Sequence, residues 1–460
     1  MIKKPFALLV SLLILFSAAA QRTTLPIGVF DSGTGGLTVL EAMLTLDAFR
    51  NSDGKPGADG IPDFSSERFQ YLADQANMPY GNYAAAGKTD LLKEHVLKNM
   101  RFLLDTTAAR PVGKTFSVQE KESVKMLVVA CNTATAYALP DIKQFTAGLP
   151  VGVIPVVGVI NAGSLAAIRH LQKEKGTVGV FATAGTVASN GYPLVLQAMA
   201  DSLQLGSLSI VSQGGFGLAE SIDRDWSFVS DQAQAPRTTY KGPSFRHPTY
   251  PIDSSLLGIY GFIKKGNSLL CEYDDSGRCL EIQLNDPVNY VRYHLVSLLE
   301  KMRLQQYRLP LNTLILGCTH YPYMRDTIAS VLQELYAYRD VNGYRYRSVL
   351  SPKVELIDPA LETAKEAYLA LRQYSLAVGS PTAANKGDAF FISVPNTLLS
   401  EVQLQEDGWF TNAYKYGRNA GENKSFVQFV PFDTFNIAAA TYERFRLLLP
   451  ACYQRIKKAL

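Results

Sequence analysis

The chain has 460 residues, of which 47% are hydrophobic and 19% are charged, and its formal net charge is +4. This length and composition predict two domains with large apolar cores. Because no long run of basic residues occurs, the sequence does not indicate nucleic acid as a partner.

The N-terminus has the pattern of a secretory signal. Lys3 and Lys4 precede an apolar run from Pro5 to Phe16, and small residues follow up to Ala20. We predict a signal peptide over residues 1–20 and a mature protein that is exported, with the periplasm as its destination. The run is too short for a membrane span, so none is expected after cleavage. If this N-terminus is not a working signal, the protein is cytoplasmic.

The first predicted strand, Leu25–Phe30, leads into the Gly-rich turn Asp31–Gly36 and a helix that begins at Leu37. A strand, a Gly turn and a helix start together present free backbone N–H groups to an anion. The spacing is not the G-x-G-x-x-G of a dinucleotide site. The turn suits the carboxylate of a small substrate as well as it suits a phosphate.

A polar loop over Asn51–Asp63 is dense in Gly, Asp and Pro. This composition resembles a calcium loop, but Lys55 occupies a position where a calcium ion would need an oxygen ligand. We therefore expect a surface insertion and no metal site.

The central stretch of the chain is a short apolar strand, Leu127–Ala130, followed by Cys131 and a helix that begins at Asn132. A thiol at a helix N-terminus meets the positive end of the helix dipole, which favours the thiolate below the usual thiol pKa of about 8.5. The alternative is that Cys131 is a small buried hydrophobe, as most free cysteines are.

A second joint of this kind lies downstream, where the strand Leu314–Gly317 is followed by Cys318, Thr319 and His320. Joints at the carboxyl ends of parallel strands line the crevice where ligands bind in α/β sheets. Two cysteines at matching joints favour a functional pair over two independent core residues.

Short buried strands alternate with helices along the chain, which predicts an α/β protein with helices on both faces of parallel sheets. We predict two doubly wound domains with the active site in the cleft between them. The first comprises 21–153 plus 323–460, including a C-terminal extension. The second comprises 154–322 and carries a loop-rich insertion at about 223–286.

Three further cysteines have other expected roles. Cys271 and Cys279 bracket a predicted hairpin turn, and we expect a disulfide across its ends in an oxidising compartment. Cys452 lies on a predicted helix near the C-terminus and is expected to be buried.

Two thiols on opposite faces of one carbon suit stereochemical inversion by proton transfer. One thiolate removes the α-proton and the other thiol delivers a proton from the opposite side, and each works best with a pKa near the working pH. A near-attack geometry keeps the two sulfurs roughly 6–7 Å apart. Asp31 and His320 are the candidates for tuning the two thiols.

Several blocks of the sequence resemble glutamate racemases, and together they cover most of residues 25–200 and 310–375. The blocks, which include both cysteines, are Ile27–Leu40, Asp74 with Pro79–Gly81, Ala130–Ala134, Pro155–Ile160, Thr183–Ser189 and Leu316–Pro322.

The resemblance implies the aspartate/glutamate racemase fold, no cofactor, and a small amino acid as the substrate, with a homodimer left open. It implies Cys131 and Cys318 as the proton donor and acceptor, assisted by Asp31 and His320. The residues that it implies for holding the amino acid are Asp31, Ser32, Tyr80, Gly81, Asn132, Thr133, Thr319 and His320, joined by Thr183 and Thr186.

The predicted function is therefore interconversion of L-glutamate and D-glutamate, a reaction that in this family supplies peptidoglycan synthesis. Two features depart from the family, which is normally cytosolic: the predicted export and the extra segments. The alternatives are a racemase for aspartate or another amino acid, and an exported binding module for acidic amino acids or cell-wall fragments. A hydrolase or lyase with one cysteine as nucleophile is less well supported, because no Cys-His-Asn order beyond the racemase-like blocks supports it.

Overall fold

A computed structural model describes residues 22–113, 115–150, 152–378, 387–422, 424–433 and 435–460. The predicted signal peptide over residues 1–20 lies outside the described residues.

The strands of the described chain are numbered in sequence order. They are β1 (Ile27–Asp31), β2 (Phe69–Ala73), β3 (Thr107–Val112), β4 (Thr115–Glu120), β5 (Met126–Val129), β6 (Val156–Gly158), β7 (Thr177–Ala182), β8 (Ser209–Gly214), β9 (Leu269–Tyr273), β10 (Cys279–Leu284), β11 (Leu311–Gly317), β12 (Arg339–Asp340), β13 (Gly343–Tyr344), β14 (Leu350–Ile357), β15 (Ala389–Pro395) and β16 (Val427–Pro431).

The α-helices are numbered in the same way, and short 3-10 helices occupy Gln75–Asn77, Ser254–Leu256 and Tyr321–Met324. The α-helices are α1 (Leu37–Thr45), α2 (Gly81–Ala85), α3 (Thr89–Leu104), α4 (Asn132–Ala147), α5 (Val159–Leu171), α6 (Ala184–Ala188), α7 (Gly191–Ser202), α8 (Leu218–Ile222), α9 (Leu257–Tyr260), α10 (Pro287–Leu304), α11 (Arg325–Ala337), α12 (Pro359–Gln373), α13 (Asn412–Gly417), α14 (Ala439–Leu448) and α15 (Pro450–Ala459).

The chain packs into two units. The first contains the described residues up to Ala162 together with those from Ala360 onward, and the second is Gly163–Pro359. The sequence predicts that the second domain ends at 322, whereas this unit continues to Pro359. The reason is that β14 pairs in parallel with β11, so the segment after residue 322 completes the sheet of the second unit.

The sheet of the first unit has the strand order β16-β15-β2-β1-β5-β6. Its neighbours are parallel except for the antiparallel pair at the β16 edge. Strands β1 and β5 are buried along their whole length, as strands covered on both faces should be. The chain runs from β1 to β2 on one side and then crosses to β5 on the other. The carboxyl ends of β1 and β5 therefore flank a topological switch point, where open α/β sheets bind ligands.

The sheet of the second unit has the order β14-β11-β7-β8, and all its neighbours are parallel. Here β7 has β8 on one side and β11 on the other, so the carboxyl ends of β7 and β11 flank a second switch point. The prediction of an α/β protein built on parallel sheets is confirmed.

The predicted insertion at about 223–286 is part of the core of the second unit. It contains helix α9 and the antiparallel hairpin β9–β10, whose strands are linked by the predicted disulfide between Cys271 and Cys279. Its apolar side chains are buried in the same cluster as the sheet and α10, among them Phe228, Ile252 and Leu284. This segment is therefore well packed, although its sequence shows little hydrophobic periodicity.

The C-terminal extension also joins a sheet. Strand β15 pairs in parallel with β2, and β16 closes that edge of the first unit. Cys452, on α15, is fully buried, as predicted, and its thiol donates to the carbonyl of Leu37 at 3.3 Å.

The carboxylates of the polar loop over residues 51–63 bond to the backbone of the same region; for example, Asp59 accepts from the N–H of Asn51 at 2.7 Å. Within the described ranges, no group of three or more His, Cys, Asp or Glu side chains is arranged to hold a metal ion. No described helix combines the length and the apolar character that crossing a membrane requires.

Candidate active site

Cys131 lies between β5 and α4, as the sequence predicts. Its backbone is extended, with φ −79° and ψ 119°, and its Sγ accepts a hydrogen bond from the N–H of Ala134 at 3.4 Å. The cysteine is therefore the N-cap of α4. Its thiol also donates to the hydroxyl of Ser32 at 3.5 Å. These contacts fix the sulfur beside the turn that follows β1.

Asp31 ends β1 within that turn. Its carboxylate accepts from the backbone N–H of Gly33 at 3.3 Å and of Gly36 at 2.8 Å, and its charge acts on the neighbouring Cys131 thiol. The sequence predicts that these N–H groups bind a substrate anion, but two of them bind Asp31 instead. Gly36 is required here, because a Cβ at this position would overlap the Cβ of Asp31 and lie 3.0 Å from that of Ala130.

The electrostatics around Cys131 differ from the expectation. Burial, and after it the charge of Asp31, raise the pKa of the thiol to about 12, against the hydrogen bonds of Ala134 and Ser32. Burial also raises the pKa of the Asp31 carboxyl, although the backbone N–H donors oppose that shift. The prediction that the helix start lowers the pKa of Cys131 is wrong, because loss of water around the sulfur outweighs the helix terminus.

Asn132 and Thr133 form the first turn of α4 and are half-buried, as is Ser32. The structure thus brings Ser32, Asn132 and Thr133 to the switch point that carries Asp31 and Cys131.

The loop after β2 carries Tyr80 and Gly81, both predicted to hold the amino acid. The Tyr80 side chain is only 2% exposed, and its hydroxyl donates to the carboxylate of Asp74 at 2.5 Å. Asp74 also accepts from Asn99 and Ser393, at 2.9 and 2.6 Å. Gly81 begins α2 and is half-buried. The Tyr80 hydroxyl is therefore buried and bonded to Asp74 rather than directed at a substrate. Near Gly81, the groups that this loop can offer to an amino acid are those of the backbone.

Cys318 follows β11 in the second unit and is buried. Gly317 pairs with Ala182 of β7, so Cys318 and Thr183 leave the sheet at the same edge. No α-helix begins at Cys318, because a 3-10 helix over Tyr321–Met324 intervenes before α11. The predicted likeness of the two joints is therefore wrong in this detail, and the dipole of α11 does not act directly on this thiol.

His320 supplies the charge that Cys318 does not receive from a helix. Its Nδ1 lies 3.7 Å from the Sγ of Cys318 and 3.4 Å from the hydroxyl of Thr319, and its Nε2 lies 3.1 Å from Oδ2 of Asp223. Burial opposes protonation, but the hydrogen bonds to Asp223 and Cys318 raise the pKa of His320 to about 10. An imidazolium therefore stands next to the second thiol at neutral pH.

The sequence offers no sign of Asp223 as a functional residue. It caps the end of α8, lies 97 positions before His320, and falls at the start of the predicted insertion. Glu220 lies one turn earlier on α8. Burial raises the pKa of its carboxyl, while the charge of His320 opposes the shift. An acidic residue on a short helix directly after β8 is the signal that could have suggested this position.

Thr183 caps α6 at the carboxyl end of β7. Its hydroxyl oxygen accepts from the N–H of Thr186 at 3.2 Å and donates to the hydroxyl of Thr186 at 3.0 Å. Thr183 is half-buried and Thr186 is buried, so Thr183 is the more accessible hydroxyl. Both lie at the switch point of the second unit, as Cys318 does.

Each unit therefore places a free thiol beside an ionisable partner at its switch point: Asp31 next to Cys131, and His320 next to Cys318. A thiol with such a partner can take up or release a proton under control of the neighbouring charge. The fold and the two half-sites define the class of protein: an α/β protein equipped for acid/base chemistry with thiols.

Comparison with known proteins gives a more specific result, although no protein-family model matches the chain. The chain is 27% identical over 377 residues to the glutamate racemase of Enterococcus faecalis, a match that covers 82% of this chain and 89% of that protein. It is 28% identical over 353 residues to the glutamate racemase of Streptococcus pyogenes, covering 77% and 84%. The resemblance to glutamate racemases predicted from the sequence is confirmed.

Solved structures of glutamate racemases also match. The isoform RacE1 of Bacillus anthracis has a TM-score of 0.44 and 23% identity, covering 80% of this chain and 88% of that chain. The enzyme of Francisella tularensis, solved with D-glutamate, has a TM-score of 0.42 and 19% identity, covering 86% and 95%.

Proposed function

We propose that this protein is a cofactor-independent racemase that interconverts L-glutamate and D-glutamate through Cys131 and Cys318. The observation that carries the proposal is the presence of a free thiol with an ionisable partner at the switch point of each unit. The similarity to named glutamate racemases over 82% of the chain supports glutamate as the substrate.

The surroundings of the two thiols favour a distinct role for each. His320 lies 3.7 Å from the Sγ of Cys318, and we assign this sulfur as the base that removes the α-proton. Cys131 stays protonated below its pKa of about 12 and is the acid that delivers a proton to the opposite face. In the reverse direction the roles exchange, and the Asp31 carboxyl can hold the proton while Cys131 acts as the base.

Solvent isotope exchange tests this mechanism. The wild-type protein in D2O should replace the α-proton of L-glutamate and of D-glutamate with deuterium, which proton NMR detects. Cys131→Ala and Cys318→Ala should each lower racemisation by about 10³-fold or more, since a positioned acid or base contributes up to about 10⁴-fold.

Cys452→Ser is the matched control, because this free cysteine is buried against α1 and has no part in the mechanism. It should keep wild-type activity. Normal exchange in Cys131→Ala would contradict the assignment. Tight binding of glutamate by a wild-type protein that shows no exchange would instead favour the binding-module alternative.

We also propose export by the N-terminal segment over residues 1–20. The disulfide between Cys271 and Cys279 supports an oxidising compartment, because such bonds are rare in reducing ones. Fractionation of the native host with N-terminal sequencing tests this, and the mature chain should begin at Gln21. The role in peptidoglycan synthesis and the homodimer remain predictions; light scattering tests the latter.

A further inference from the structure

The C-terminal extension makes a series of polar contacts with the loop that carries Tyr80 and Gly81. The extension contributes residues 412–419, here called the clamp segment, and the loop comprises residues 74–83, here called the Asp74 loop. Both belong to the first unit.

Two cations of the clamp segment hold the Asp74 loop directly. The Nζ of Lys415 donates to the carbonyl of Met78 at 2.6 Å, and Nη2 of Arg418 donates to Oδ1 of Asn77 at 2.8 Å. The amide of Asn77 in turn donates to both oxygens of Asp74, at 3.0 and 3.1 Å. The clamp segment therefore reaches the carboxylate that anchors the Tyr80 hydroxyl.

Both cations are buried, at 6% exposure for Lys415 and 5% for Arg418. The guanidinium of Arg418 lies among three aromatic rings, whose centroids are 4.8 Å (Phe410), 5.2 Å (Tyr414) and 4.9 Å (Phe426) from its Cζ. Burying a cation is costly unless its hydrogen bonds and surroundings compensate. Two buried cations that donate hydrogen bonds to one loop stabilise that loop in a fixed position.

The Asp74 loop in turn contacts the turn that holds Asp31. Met78 packs against Gly33 so closely that a Cβ at position 33 would lie 2.6 Å from the Met78 Sδ. The N–H of Gly33 donates to Asp31 at 3.3 Å, and Ser32, between these two residues, accepts a hydrogen bond from the Cys131 thiol at 3.5 Å. A continuous series of contacts therefore leads from Lys415 through Met78 and the Asp31 turn to the thiol.

We propose that Lys415 and Arg418 are positioning residues of the Cys131 half-site. By fixing the Asp74 loop they hold Gly81 in place for the amino acid and keep the Asp31 turn packed around the thiol. This inference rests on the proposed function for its kinetic consequence. The structural part of the inference, which concerns the Asp74 loop and Cys131 in the free protein, does not depend on the proposed function.

Lys415→Met tests the proposal, because it removes the donor and the charge while keeping most of the side-chain volume. Hydrogen–deuterium exchange of the free protein should be faster in the peptide that spans 74–86. Alkylation of Cys131 by iodoacetamide should also be faster than in wild type. For racemisation of glutamate, the KM should rise about 10-fold while kcat falls less, since a hydrogen bond to a charged group is lost at the loop.

Lys424→Met is the matched control. Lys424 lies in the same extension but is 47% exposed and pairs with Glu401 on the surface. This variant should leave both the exchange and the kinetics as in wild type. Arg418→Gln should reproduce the loosening, and Lys415→Arg, which keeps a cationic donor, should restore at least part of the protection.

The outcomes separate the two proposals. Wild-type exchange over 74–86 in Lys415→Met and Arg418→Gln would overturn the positioning role, whatever the kinetics. Faster exchange spread evenly over both units would also overturn it, because it would indicate general destabilisation. If the wild-type protein does not racemise glutamate, the proposed function fails, while exchange and alkylation still decide the role of the two cations.

Discussion

The two half-sites differ in the charge that stands beside the sulfur. Cys131 faces the carboxylate of Asp31 inside a tightly packed turn, whereas Cys318 faces the imidazole of His320, which Asp223 holds from the other side. The carboxylate favours a neutral thiol at Cys131, whereas the ionisable partner of Cys318 is a basic side chain.

The two thiols to which we assign one reaction therefore have unlike surroundings. Burial and the charge of Asp31 keep Cys131 protonated at neutral pH, whereas the partner of Cys318 is the imidazole of His320. The following experiments break or refine this asymmetry.

Among changes to the surroundings of the two thiols, removing the packing around Asp31 should have the largest effect. Gly36→Ala places a Cβ against Asp31 and Ala130, so the turn must open and the carboxylate loses its N–H donor. We expect activity to fall by about 100-fold and the protein to lose about 1–3 kcal/mol of stability, as overpacked sites do. Racemase assays and thermal unfolding measure the two effects.

The corresponding turn of the second unit provides the control. A Cβ at Gly185, between Thr183 and Thr186, would meet nothing within 4 Å. Gly185→Ala should therefore cause no loss of stability in thermal unfolding, and because Gly185 lies in α6 the higher helix propensity of Ala should raise the stability slightly. An equal loss of stability in the two variants would contradict the contrast between a packed and an open turn.

Removing the charge that holds His320 should have an intermediate effect. The pKa of His320 is raised from 6.5 to about 10, so its contribution to stability is fully present below pH 6.5 and is lost as the pH rises through about 10. Asp223→Asn should lower the pKa of His320, reduce this stabilisation and slow racemisation by about 10- to 100-fold.

NMR titration of the imidazole protons, with His320→Gln to assign the resonance, measures the change in the pKa of His320. Asp225→Asn is the matched control, because this neighbouring carboxylate has no hydrogen bond to His320 among the described contacts. An unchanged titration of His320 in Asp223→Asn would show that Asp223 does not maintain the imidazolium.

Removing the charge next to Cys131 should have the smallest measured effect. Asp31→Asn deletes the second cause of the raised thiol pKa but leaves burial, the larger cause. The pKa of Cys131 should fall, and alkylation at pH 8 should become about 3- to 10-fold faster, because the thiolate is the reactive form. Mass spectrometry of the modified peptide gives the rate.

A change of the alkylation rate in the opposite direction would contradict this expectation. Slower alkylation of Cys131 in Asp31→Asn would mean that the carboxylate activates the thiol as a base rather than suppressing the thiolate. Cys318 in the same protein serves as the internal reference, and its alkylation should not change.

Much of this arrangement could be predicted from local sequence. The short apolar strands before Asp31, Cys131 and Cys318 are buried in parallel sheets, and parallel strands bring their carboxyl ends to one edge. His320 is two residues from Cys318, so their proximity follows from the chain itself. By contrast, Asp223 and Arg418 reach their sites from 97 and 341 positions away, and no local pattern indicates such contacts.

The sequence by itself determined the parallel α/β framework, the two strand-end thiols and their nearest partners, because these depend on hydrophobic runs and on neighbours along the chain. Only the tertiary structure decided the ionisation of Cys131, the commitment of the Tyr80 hydroxyl to Asp74, and the contribution of the C-terminal extension. The physical reason is that burial and long-range hydrogen bonds set the charge state and position of a side chain, and both arise only when distant segments pack together.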